Sequence, residues 1–138
     1  MSLLDTNGLL AAIDATQHRH AETAASLSEA RPPRLLSPFV LAELDYLLAA
    51  RVGSVARVAL LGEVERGAYQ LQPFTSDGVR AARGIIERHS DLAISLADAS
   101  IAVLAAQHEV FDVLTLDERR FRVLTVAGTP FRLLPADA

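Results

Sequence analysis

The sequence predicts an α/β protein with a mainly parallel sheet covered by helices on both faces, folded as one domain over residues 1–138. Three observations carry this. Short, nearly uninterrupted apolar runs alternate with longer segments of helical periodicity, the pattern of strands buried on both faces. One helical segment, Ser95–His108, is apolar almost all round and therefore belongs in an interior layer. No repeat, linker or low-complexity tract divides the chain, and its 138 residues fit a single domain.

Taken in order, Ser2–Leu4 is a strand that ends in Asp5. Gly8–Asp14 and Ala15–Glu29 read as helices, the second with a charged outer face. Arg31-Pro32-Pro33 breaks that helix before a brief strand, Arg34–Leu36. Ser37-Pro38 opens the next helix with a capping hydroxyl and a first-turn proline, and Gly53 closes it after Arg51. Val55–Arg66 is a helix closed by Gly67, Tyr69–Pro73 a strand and Ser76–His89 an amphipathic helix. After Ser95–His108 come a strand, Asp112–Leu116, a polar turn or short helix, Glu118–Val123, and a last strand, Phe131–Leu134.

Composition removes several classes. There is no cysteine, hence no disulfide framework and no thiolate metal site. All 13 basic residues are arginine, against 17 acidic ones, for a net charge of −4. That balance is unusual for a protein that meets nucleic acid. If four acids hold cations, however, the remainder is neutral. No basic stretch precedes the first apolar run, and the most apolar segment, Leu92–Gln107, is shorter than a bilayer span and contains Asp98. The expectation is a cytoplasmic protein with no membrane partner. With 5% aromatics, a stacking platform for single-stranded bases is not visible.

Four carboxylates stand where acids are not expected. Glu43 shares the spacing of an inward stripe, Val40, Leu44 and Leu47, so it must be paired, protonated or metal-bound. A salt bridge and a metal are equally open there. Asp98 is the only charge in Leu96–Ala106. It also completes the capping box Ser95-x-x-Asp98, and the two roles are compatible. Asp5 and Asp117 each follow a predicted strand. There Asp5-Thr6-Asn7 can form a turn in which Asn7 caps the next helix, and Asp117 can cap the segment after it. The four together are harder to explain as caps. In parallel sheets, sites form beyond the carboxyl ends of strands. Converging carboxylates without cysteine suit a hard cation, Mg²⁺ or Mn²⁺, of the kind that serves phosphodiester hydrolysis.

These residues resemble a known pattern. Asp5-Thr6-Asn7, Ser37-Pro38-Phe39-Val40-Leu41-Ala42-Glu43-Leu44, Ile94-Ser95-Leu96-Ala97-Asp98-Ala99 and Leu114-Thr115-Leu116-Asp117-Glu118-Arg119-Arg120-Phe121 are similar to the four acidic motifs of PIN domains. The likeness is to the VapC toxins in particular and runs from residue 3 to 134. It implies a three-layer α/β/α fold and Mg²⁺- or Mn²⁺-dependent endoribonuclease activity on structured RNA, tRNA or rRNA. It also implies a homodimer silenced by a small VapB antitoxin. On this resemblance Asp5 and Asp98 are direct metal ligands and Asp117 a direct or water-mediated one. Glu43 orients the attacking water or acts as its base. Thr6, Asn7 and Thr115 supply supporting or phosphate-facing groups. Apart from the resemblance, Arg119, Arg120 and Arg122, which follow Asp117, face RNA phosphates or solvent, and an arginine fork suits phosphate. Asp45, two residues from Glu43, faces elsewhere. His18 and His20 are two apart and cannot form a helical metal pair.

Receiver domains, dehalogenase-like phosphatases and P-loop enzymes each need a lysine that this chain lacks, and no Gly-x-Gly marks a dinucleotide fold. The alternative from another class is a PIN-like module that binds RNA or protein without cleaving. Mutually repelling carboxylates would serve no purpose there.

Overall fold

The computed structural model describes residues 1–138. In chain order its elements are β1 (Ser2–Leu4), α1 (Thr6–Ile13), α2 (His20–Glu29), β2 (Arg34–Leu36), α3 (Pro38–Arg51), α4 (Ser54–Glu65) and β3 (Gln70–Leu71). There follow α5 (Ser76–Arg88), α6 (Leu96–His108), β4 (Asp112–Leu114), α7 (Glu118–Phe121), β5 (Thr125–Val126), β6 (Thr129–Pro130) and β7 (Arg132–Leu134). The main sheet has the order β3-β2-β1-β4-β7, and every pairing in it is parallel. Adjacent residues such as Leu3 and Leu4, Leu35 and Leu36, and Val113 and Leu114 are all buried, although neighbours on a strand point to opposite faces. The sheet is therefore covered on both sides, as the continuous apolar runs predict. In α6, Ala97 and every residue from Ala99 to Ala105 are buried.

The chain runs outward from β1 through β2 to β3, then returns to the other side of β1 with β4 and β7. The order reverses between β1 and β4, and this switch point is where a cleft opens beyond the strand ends. Asp5 follows β1 and Asp117 follows β4 closely, so both flank it. The two segments are stitched together by the Asp5 backbone N–H donating to the Leu114 carbonyl at 3.0 Å. Gly8 permits the approach: a Cβ there would stand 2.5 Å from the Leu114 carbonyl oxygen.

Several boundaries differ from the expectation. The helix expected from Ala15 begins at His20, because Asp14 captures the Thr16 N–H and hydroxyl and the Gln17 amide in a turn. The strand expected to reach Leu116 stops at Leu114. The Thr115 N–H still donates to the Leu134 carbonyl, but the Leu116 N–H turns aside to the Asn7 side chain. β3 is cut to Gln70–Leu71 ahead of Pro73, which has no N–H to offer a ladder. The β5–β6 hairpin was not expected. Its two-residue turn holds Ala127 and Gly128 at φ of 50° and 85°, and an alanine there hides the usual Asn-Gly signal.

Candidate active site

The four acids predicted from sequence line one cleft of about 410 Å³. Thr6, Asn7, Gln17, Arg51, Ser95 and Arg120 complete its polar wall. A larger groove of about 640 Å³ lies apart, between α5, α6 and the hairpin. No carboxylate lines it, whereas four line the smaller, polar cleft.

Asp5 is the most constrained member. It caps α1, Oδ1 accepting from the Thr6 N–H at 2.8 Å, while Oδ2 accepts from the Thr115 hydroxyl at 2.7 Å. The hydroxyl has one proton, and the longer contact to Asn7 Oδ1, 3.2 Å, loses it to the charged acceptor. Burial pushes the Asp5 pKa up to about 7 against those two hydrogen bonds, and Asp98 and Asp117 raise it further by repulsion. Asp98 is also raised, first by burial and then by Asp117, with Ser95 and Arg120 opposing. Its capping box with Ser95 is formed in both directions, so cap and cleft roles coexist on one side chain. Asp117 caps α7 through the Arg120 N–H at 3.1 Å and pairs with the Arg120 guanidinium at 2.7 Å.

Glu43 departs from its expected setting. The core-facing residues of α3 are Val40, Leu44 and Leu48, whereas Glu43 is exposed and reaches the cleft from its rim. A periodic stripe gives a helix face to within a residue, and Glu43 lies at its edge. The helix that carries it is docked by its N-cap. Ser100 donates to the Ala97 carbonyl, so Ser37 donates to Ser100 at 2.6 Å, fixing α3 against the Asp98 helix.

Thr115 is buried and its hydroxyl is spent on Asp5, with the Asp117 N–H donating to the same oxygen at 3.0 Å. It supports the acids and does not face a phosphate. Asn7 does not cap α1; its side chain accepts from the Leu116 N–H at 3.0 Å and locks the two acid-bearing loops. Arg120 is tied to Asp117 rather than directed at solvent, while Arg119 is exposed and pairs with no acid. Asp45 forms a salt bridge with Arg57 at 2.6 Å, away from the cleft, as its position predicts. Arg51 was not anticipated. Glu43, Leu47 and Arg51 form an i, i+4, i+8 row that lines the cleft, a spacing legible in the sequence once α3 is placed.

No three acidic or histidine side chains close on a common point. The donor set nevertheless fits a hard divalent cation. It consists of carboxylates with no soft ligand, Asp5 and Asp98 raised first by burial and further by neighbouring acids, beside a buried Thr6 hydroxyl that has no hydrogen-bond partner. Asp5 and Asp98, which both line the cleft, would hold such an ion, with Asp117 beside them.

A PIN domain profile matches residues 2–126. The chain belongs to the PIN-domain family, among the VapC ribonuclease toxins. It is 37% identical over 134 residues to Ribonuclease VapC26 of Mycobacterium tuberculosis (strain ATCC 25618 / H37Rv), covering 96% of this chain and 99% of that one. The fold is similar to that of VapC20 from the same species, described as a sarcin-ricin loop cleaving toxin. That match has a TM-score of 0.81 at 22% identity and covers 94% and 96% of the two chains. VapBC2 of Rickettsia felis, solved on a promoter DNA fragment, matches with a TM-score of 0.67 at 19% identity over 96% and 97%. Toxins of this family are RNA-cleaving hydrolases, so a silent binding module is not favoured.

Proposed function

We propose that this chain is a Mg²⁺- or Mn²⁺-dependent endoribonuclease that cleaves structured RNA, tRNA or rRNA, in the cytoplasm. We propose further that it works as a homodimer and is silenced by a VapB-type antitoxin. The observation that carries the reading is the meeting of Asp5, Glu43, Asp98 and Asp117, from four separate segments, in one polar cleft at the switch point of the sheet. A bound divalent ion supplies Lewis-acid chemistry, lowering the pKa of an attacking water and stabilising charge on the leaving oxygen.

The chain's own groups do the rest. Asp5 and Asp98 would hold the ion. Glu43, free at the rim, accepts the proton of the attacking water. Asp117 completes the acid set, and Thr115 and Asn7 fix the loops that present Asp5 and Asp117. Arg51, which lines the cleft, and Arg119, two residues from Asp117, are among the arginines that pair with no carboxylate, and their position suits them to meet RNA phosphates. The antitoxin assignment is supported by the kinship with VapBC pairs, one of them solved as a complex. No helix is long and apolar enough to cross a membrane.

Expression in bacteria without an antitoxin should arrest growth, and Asp5→Asn or Asp98→Asn should relieve the arrest at equal protein level. Full toxicity of either variant would remove that residue from the site.

A further inference from the structure

Arg120 is held inside the acid cleft from three directions. Its Nη1 donates to Asp117 Oδ2 at 2.7 Å, its Nε lies 4.0 Å from Asp98 Oδ2, and the same Nε donates to the Leu92 carbonyl at 3.0 Å. Its backbone N–H occupies the other Asp117 oxygen. Both oxygens of Asp117 are thus engaged by one residue, and Asp117 and Asp98 share a single positive charge. The guanidinium is only about one-third exposed, and the two carboxylates less than half as much. The ion pair is therefore shielded better than a surface one.

We infer that Arg120 is the resident counter-cation of the cleft: it holds the place at Asp98 and Asp117 that a divalent ion takes, and gives it up when metal binds. This rests on the metal-dependent reading above. Mg²⁺ bonds carboxylate oxygens at about 2.0–2.1 Å. A guanidinium hydrogen-bonded to the same oxygen would be forced against it, like charge against like. Arg120 is then a positioning residue. It keeps the acids from repelling one another before loading, and it lowers metal affinity by the cost of its own displacement.

Two readouts test this, and neither depends on catalysis. Calorimetric titration with Mn²⁺ alone should show Arg120→Met binding about three- to tenfold tighter than wild type, the range expected for releasing a charge-assisted pair. Arg120→Lys keeps the charge but loses the Leu92 anchor, and it should fall between. In the wild-type protein, Mg²⁺ should shift the Arg120 Nε–H resonance, while that of Arg122, tied to Asp137 and Glu118, stays in place. Mn²⁺ binding to both variants no more tightly than to wild type would overturn the inference and leave the metal site standing. So would an unmoved Arg120 signal at saturating Mg²⁺. If neither wild type nor variant binds Mn²⁺ at millimolar concentration, the metal reading falls and this inference falls with it.

Discussion

At the scale of single residues, Asp5 carries the sharpest consequence of the fold. Its pKa is near 7 in the folded chain and near the ordinary aspartate value when unfolded. The folded state therefore holds the proton more tightly. The resulting stabilisation is complete below about pH 3.9 and is lost as the pH rises through about 7. Between about pH 6 and about pH 8 the metal-free protein should lose about 1.4 kcal/mol from this residue. Asp5→Asn, neutral throughout, should flatten that slope. Urea melts in chelator at both pH values check it; a variant with the wild-type slope would mean that the buried carboxylate does not titrate there. All four acids were legible in the sequence, because a carboxylate in an apolar context is conspicuous. Their partners were less so. Thr115 and Asn7 look like ordinary loop residues, and their hydrogen bonds to the other acid-bearing loop span more than 100 positions of chain. The detachment of Glu43 from the core turns on about one residue of helix phase.

At the scale of elements, the strands and long helices were readable because burial on both faces leaves no room for polar residues. What escaped was decided by side chains gripping backbone. Asp14 delays α2, Asn7 ends β4, and an alanine in a left-handed turn conceals the hairpin. Gly8 shows how closely the elements holding the site must pack. Glycine inside a helix normally costs about 1 kcal/mol relative to alanine, so Gly8→Ala would stabilise an isolated α1. Here the added methyl meets the Leu114 carbonyl at 2.5 Å. The expected outcome is a net loss of about 1–3 kcal/mol, with α1 pushed off β4 and the Asp5–Thr115 bond disturbed. Denaturant melts check it, and a net gain in stability would mean that α1 and β4 do not sit as close as described.

At the scale of the whole molecule, the ends of β1 and β4 and the helices α3 and α6 gather acids from distant segments into one cleft, and the chain's overall negative charge resides partly there. A mean hydropathy of +0.26 and exposed apolar side chains, among them Tyr46, Val55 and Val58, leave apolar surface for a partner. A homodimer is expected by light scattering at micromolar concentration, and a monomer would withdraw that proposal. The central claim is that the cleft cleaves RNA with a divalent ion. It is tested most directly by incubating the purified chain with tRNA and rRNA in chelator, in Mg²⁺ and in Mn²⁺, beside Asp98→Asn. Discrete internal cleavage that needs the metal, and falls at least about a hundredfold in the variant, is the predicted result. Cleavage that persists undiminished in chelator, or in Asp98→Asn, would contradict it.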